Sequence, residues 1–460
     1  MKNLTFAAVF FLLLQFWAAD SGLAQNKLAD QESEIGTRES GIDWPTFLGP
    51  KGESVSPEKG ILKDWSDGKL KLLWKIPTGD GYGMGSVANG RFYHFGKIDG
   101  KATLLCLNAE TGKELWKFAY ESDYKDLYGY DSGPRASPII DGQFVYIYGV
   151  EGQLYCLNAK TGERVWDVDL NKKFGVIQNF FGVASTPVIF EDMIIVMVGG
   201  SPDESKKAPP GALDQVEPNG AGLVALDKKT GELKYKSVND LASYSSLKLA
   251  KINNQDVLLA WMRGSLYGVR PKTGETVFEF PWRSKKLESV NAAMPVVKED
   301  EVFISECYEI GSALLKFEDL KHSVVWSDGR KRTKAMEAHW TTPVLVGGEV
   351  FGCSGRHTGT AVLRCINWET GKIHWSVQGL TRTSLTHIDG HLIVLGEKGK
   401  LSLVEATKEK YKVVTRYEPG DAGVEFKYPC WAAPIVSHGL MYVRGKETLA
   451  CFELIPQKAK

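Results

Sequence analysis

The sequence predicts an all-β protein, an eight-bladed β-propeller of four-stranded antiparallel blades whose ring is closed by an N-terminal strand. Three observations predict it. One phrase recurs: LLCLNAETGKELW at 104–116, LYCLNAKTGERVW at 154–166 and LRCINWETGKIHW at 363–375. A second marker, a small residue or Met followed by Pro and aliphatics, stands at Pro138, Pro187, Pro295, Pro343 and Pro434. Successive markers lie 49, 108, 48 and 91 residues apart, which is one, two, one and two repeats of the length of a propeller blade. Third, between the markers aliphatic and aromatic residues alternate and are broken by Asp-Gly, Asn-Gly, Gly-Gly or Glu-Gly, the chemistry of tight hairpins.

The units skipped by the second marker are present at 243–278 and 382–414, and another begins at Gly85. Units therefore open near Ser86, Ser137, Ser185, Ser245, Ala293, Thr341, Ser384 and Ala432. The eighth stops at LACFEL, 449–454, one strand short. KLLWKIP, 71–77, lies before the first unit and carries its own Trp74, so it supplies the missing outer strand and leaves no open edge in the ring. Within a unit, Thr-Gly makes the turn between third and fourth strands, with Gly at positive φ. Four residues after that Gly stands an aromatic: Trp116, Trp166, Tyr235, Phe278 or Trp375. Three residues before the Thr stands Asn108, Asn158, Asp227 or Asn367, a side chain suited to bonding local amides. Two residues earlier comes a small one, Cys106, Cys156, Ala225 or Cys365, with Gly268 in the fourth unit. A large ring needs a small residue opposite it. The repeated phrase reads as a packing lock between blades.

Composition excludes some functions. Of 460 residues 43% are hydrophobic and 24% charged, and 56 Lys+Arg balance 56 Asp+Glu. No basic excess exists to neutralise phosphates, so no nucleic-acid partner is expected. Lys2, an apolar run over 4–19 and the small residues Gly22 and Ala24 predict a signal peptide over 1–24, a retained anchor being the rival reading. A flexible linker follows over 25–43, a lead-in over 44–70, the propeller over 71–455 and a tail over 456–460. The mature chain is expected to be periplasmic or secreted, monomeric and without a membrane span.

The repeat resembles the tryptophan-docking repeat of pyrroloquinoline-quinone (PQQ) dehydrogenase propellers, in which Ala-x-Asp precedes Thr-Gly and a Trp. WPTFLGPKGESVS, 44–56, resembles the lead-in of secreted bacterial PQQ-like propellers and, more loosely, of the scaffold lipoproteins of the outer-membrane β-barrel assembly machinery. The resemblance implies either a quinoprotein oxidoreductase, of the alcohol or polyvinyl-alcohol dehydrogenase kind, or a non-catalytic scaffold of the cell envelope. The dehydrogenases usually place adjacent cysteines over the cofactor and hold calcium with carboxylates. This sequence has no Cys-Cys, no comparable carboxylate run and no Cys-x-x-Cys-His for a haem. PQQ with calcium is therefore not supported by its residues, and no metal ligands or catalytic residues are assigned. The leading expectation is a scaffold that takes a protein or small-molecule ligand.

A site is expected where loops lead into the innermost strands. Just before the Pro markers the repeats diverge, giving Arg135, Asn291, His339, Trp340 and Trp431, with Arg382 in the seventh unit. Two Trp, an Arg and a His around a channel suit a planar or anionic ligand, such as a quinone or a sugar acid. Two readings stay open, a funnel-mouth site and a channel plugged by side chains; two Trp platforms also admit a carbohydrate- or polymer-binding role. The insertion 199–222, rich in Pro, Gly and mixed charges, is expected to lack regular structure, as a lid or a surface excursion. Among seven cysteines, Cys106, Cys156, Cys365 and Cys451 share one docking position and are expected unpaired. Aligning GGEVFGCS with DGQFVYIY sets Cys353 opposite Cys365, within disulfide reach.

Overall fold

The structure is a computed structural model that describes residues 38, 40–177, 180–209, 211–419 and 423–457. The expected signal peptide and most of the expected linker lie outside the described residues. Eight antiparallel sheets form the ring. Blade 1 runs, from the channel outward, Ser86–Ala88, Arg91–Ile98, Lys101–Asn108 and Glu114–Glu121. The next six blades repeat the meander, with innermost strands at Ile139–Asp141, Val188–Phe190, Lys248–Ile252, Val296–Lys298, Val344–Val346 and Thr383–Ile388. Blade 8 takes Ile435–Ser437, Leu440–Arg444 and Thr448–Glu453 from the C-terminus and its outermost strand, Leu72–Pro77, from the N-terminus. The ring closes as the sequence predicts.

The recurring phrase is a lock made twice over. Within a blade each ring faces its small partner across the outer strand pair: Trp116 with Cys106, Trp166 with Cys156, Tyr235 with Ala225, Phe278 with Gly268 and Trp375 with Cys365. Trp74 faces Cys451 in the composite blade. Across to the next blade, Trp116 Nε1 donates to Ala159 O at 3.2 Å, Trp166 Nε1 to Lys228 O at 3.1 Å and Trp74 Nε1 to Ala109 O at 3.0 Å. The receiving turn explains its glycine. A Cβ at Gly162 would stand 2.5 Å from the Trp116 ring, and its φ is +76°. Asn158 Oδ1 accepts from Lys160 N at 2.9 Å and Thr161 N at 3.1 Å, holding that turn rigid for the ring.

The lead-in does more than reach the ring. Trp44 exchanges backbone hydrogen bonds with Val87 in blade 1, and Pro45 O accepts from Ile140 N in blade 2. Lys248 of blade 4, buried to 4% exposure, donates through Nζ to Lys51 O and Gly52 O, each at 3.1 Å. Val55–Ser56 then pairs parallel with the innermost strand of blade 7, which thus has five strands where four were expected. Residues 44–56 therefore cross the ring from blades 1 and 2 to blade 7. At the described end of the expected linker, Arg38 pairs with Glu453 at 2.5 Å and Asp43 with His438 at 2.9 Å, both in blade 8.

Two further expectations fail. Cys353 faces Leu363 and Cys365 faces Phe351, so the two sulfurs are not opposed, and all seven cysteines are buried free thiols. The cause is two one-residue errors that add, one in the alignment and one in a hairpin count that took Ile147 rather than Tyr146 as the partner of Cys156. The blade 6 turn is Gly347-Gly348 between Val346 and Glu349, and its blade 2 counterpart is Gly142-Gln143 between Asp141 and Phe144, not Asp141-Gly142. Matching Gly-Gly to Asp-Gly moved every later residue one place and the hairpin count added another, so Phe351 takes the position given to Cys353. The insertion 199–222 also has structure, with 3-10 turns at Asp203–Lys207 and Leu213–Gln215. Leu213 and Val216 pack against Phe180, Leu241 and Tyr244, and Asp214 accepts from Arg263 at 3.0 Å and Arg283 at 3.2 Å. Apolar residues spaced among its charges made this possible.

Candidate functional site

The innermost strands are stitched to one another by the hydroxyls of the Pro markers. Ser137 N donates to Thr186 Oγ1 at 3.1 Å, Thr186 N to Ser246 Oγ at 2.9 Å and Met294 N to Thr342 Oγ1 at 2.9 Å. Ser384 Oγ donates to Trp431 O at 2.7 Å. These bonds fix the loops that lead into the strands, and so fix the side chains just before each marker. Those loops surround a cavity of about 470 Å³. Phe47 and Leu48 of the crossing lead-in are part of its lining, so the segment over 44–56 serves as a floor.

Five of the six residues singled out in the sequence line this cavity: Arg135, His339, Trp340, Arg382 and Trp431. Asn291 does not. It is buried at 2% exposure, donates through Nδ2 to Met262 O at 2.7 Å and accepts at its carbonyl from Tyr244 N and Ser245 N. Asn291 ties the loops before blades 4 and 5 together.

The wall is a belt of rings with guanidinium groups laid on them. Trp340 and Trp431 have centroids 5.0 Å apart at 48°, and Arg382 lies 4.4 Å over Trp340 and 5.4 Å over Trp431. Tyr82 meets the other side of Trp431 at 4.5 Å, and Arg135 lies 5.6 Å over Tyr82. On the opposite flank His339 packs on Trp340 at 5.1 Å, Tyr308 on His339 at 5.7 Å, and Arg356 lies 4.8 Å over Tyr308. Such cation–π contacts are worth about 0.5–2 kcal/mol each and orient the cations.

Buried acids behind the wall hold two of these arginines. Glu397, its side chain fully buried, accepts from Arg382 Nε at 2.8 Å and from Trp431 Nε1 at 3.1 Å. Burial by itself raises its pKa, but the bonds from Arg382 and Trp431 outweigh that and leave it below the ordinary value. Asp126, equally buried, accepts from Arg135 at 3.3 Å, while Gly133 O and Asp131 O take further Arg135 protons. The His339 ring is half-buried in the wall, with Nε2 3.2 Å from Tyr308 Oη; desolvation and then the Arg382 and Arg356 charges depress its pKa to about 3. It is neutral at pH 7. Among the described residues its Nδ1 and Trp340 Nε1 have no hydrogen-bond partner.

Tyr82, Tyr308, Arg356 and Tyr428 join the wall without having been expected, and so do the buried acids behind it. Arg356 sits in SGRHTGT, a loop longer than its counterparts, which was a usable signal. Glu397 left none, because its contact with Arg382 crosses a hairpin.

Among the described residues no Asp or Glu lines the cavity, which three arginines and two histidines do. A calcium ion needs six to eight oxygen ligands, several of them carboxylates, and this wall offers cations in their place. The calcium that assists PQQ in the dehydrogenases does not fit these residues. Among the described residues no three His, Cys, Asp or Glu are grouped to hold a metal. Among them also, no helix is long and apolar enough to cross a membrane.

The backbone is similar to those of two solved proteins. BamB from Moraxella catarrhalis superposes with a TM-score of 0.55 at 12% identity, over 84% of this chain and 100% of that one. A quinohemoprotein alcohol dehydrogenase from Pseudomonas putida HK5 superposes with a TM-score of 0.50 at 15% identity, over 91% and 81%. At such identities the likeness establishes the propeller fold alone. No curated protein sequence matches. The model of the family described as outer membrane protein assembly factor BamB matches residues 100–356, more than half of the sequence, and with the eight-bladed ring this places the chain in that PQQ-like propeller family.

Proposed function

We propose that this chain is a non-catalytic binding propeller of the cell envelope, exported by its first 24 residues and acting as a monomer through the funnel. One observation carries the reading: the funnel wall is rich in rings and in guanidinium groups, two of them fixed by buried acids, and among the described residues no carboxylate faces the cavity. That wall can hold an anionic or acceptor-rich group of a protein or small molecule. It offers no carboxylate to act as general base. An alternative, a PQQ-dependent oxidoreductase, requires a carboxylate base and calcium ligands that the wall lacks among the described residues.

Purified protein mixed with PQQ and calcium, then assayed with a redox dye and a panel of alcohols, tests this. The expected result is no turnover above the free quinone. Calcium-dependent turnover that disappears in Arg382→Ala would replace the scaffold with a dehydrogenase.

A further inference from the structure

Building on the reading of the funnel as a binding site, we infer that its ligand is the end of an acidic oligosaccharide, a short chain of uronic-acid residues. Three features point to this class. The rings of the belt are pitched against one another, at 53° for Tyr82 with Trp431, 48° for Trp340 with Trp431 and 70° for Tyr308 with His339. No pair opens a parallel slot for a flat aromatic. Inclined faces suit the C–H faces of puckered pyranose rings, which are not coplanar from one residue to the next.

The second feature is charge. Arg382 spends Nε and one terminal nitrogen on Glu397 and another on Arg356 O at 3.2 Å, which fixes the plane of its guanidinium. Among the described residues the Arg356 guanidinium lies on the Tyr308 ring and pairs with the half-exposed Glu288 at 3.3 Å, leaving further donors beside the cavity. A fixed and a freer guanidinium on one side of the wall match the carboxylate of a uronic acid, which accepts two N–H bonds in its plane.

The third feature is extent. The cavity of about 470 Å³ continues to a rim where Tyr130 and Tyr428 are 63% and 50% exposed. Exposed rings at a cavity mouth give further platforms to a ligand longer than the cavity. A single compact anion would leave them without a role. The funnel thus takes one sugar acid inside and its neighbours at the rim.

Calorimetric titration of the full mature chain with tetragalacturonate tests the inference, with maltotetraose as the neutral probe of equal length and PQQ as the flat polycarboxylate. The inference expects saturable binding of tetragalacturonate that weakens with salt, no binding of maltotetraose, and at least tenfold weaker binding in Arg356→Gln. Because Arg356 is half-exposed, that variant should melt with the wild type; Tyr130→Ala, on the rim, should weaken the tetramer and leave galacturonate monomer unchanged. Equal binding of both tetrasaccharides would overturn the acidic specificity. Binding of PQQ without tetragalacturonate would overturn the ligand class and leave the funnel as a site. If none of the three binds to a chain that melts cooperatively, the inference falls, and a protein partner remains open to the broader reading.

Discussion

His94 is buried at 1% exposure, with Nε2 2.7 Å from Thr78 O, and burial followed by the Arg444 charge depresses its pKa to about 3. Its folded value therefore lies below the unfolded one of about 6.5, so its contribution is complete above pH 6.5 and is lost as the pH falls toward 3. Between pH 7 and 5 the loss amounts to about 2 kcal/mol. Comparing denaturant midpoints of wild type and His94→Gln should show the advantage of wild type shrinking by that amount, since other titrating groups cancel in the difference. A constant difference would mean that the imidazole is charged or reaches water. Nothing in the sequence singles His94 out, because the carbonyl and arginine that enclose it come from other segments of the chain. Funnel residues were easier to read. Arg135, Trp340 and Trp431 stand where a repeat abandons its own pattern, and that departure is visible in one chain.

At the scale of the element, the interblade lock makes its turn glycine the sharper target. Gly162→Ala meets the Trp116 ring and a left-handed backbone at once. We expect a loss of about 2–4 kcal/mol, more than the roughly 1 kcal/mol that either strain or a small overlap costs alone. Trp116→Ala should cost about 3–5 kcal/mol, and the double variant less than the sum, because the ring that clashes is gone. Thermal or denaturant unfolding of the three variants measures this; strict additivity would show that ring and turn do not touch. Spacing alone revealed these locks, since it repeats in every blade that has Thr-Gly. Strand register is different. Cys353 was misplaced by two residues, because one hairpin spells its turn Gly-Gly and another Gly-Gln and because Tyr146, not Ile147, faces Cys156; Cys353 keeps the face of Phe351 but stands two residues further along the ladder. Free thiols at both Cys353 and Cys365 in non-reducing peptide maps follow from the observed register.

For the whole molecule, the N-terminal region has two duties, closing the ring and flooring the funnel. The first was legible because the eighth unit was short by one strand and residues 71–77 were spare. The second was not, because residues 44–56 reach blades 4 and 7 by bonds such as those of Lys248 to Lys51 and Gly52, which no spacing encodes. Removing residues 70–77 should expose the edge of Thr448–Glu453 and give aggregation, followed by light scattering. A soluble truncated chain that melts near the wild-type temperature would show that the eighth blade stands on three strands.

That the funnel attracts anions is the claim on which the functional reading rests, and ionic quenching of tryptophan fluorescence tests it most directly. Trp340 and Trp431 stand beside Arg382, with no carboxylate on the cavity wall. Iodide should quench them more strongly than caesium at equal ionic strength, and that excess should vanish in the Trp340→Phe/Trp431→Phe double variant. Caesium quenching equal to or above that of iodide, unchanged by the double variant, would contradict the account.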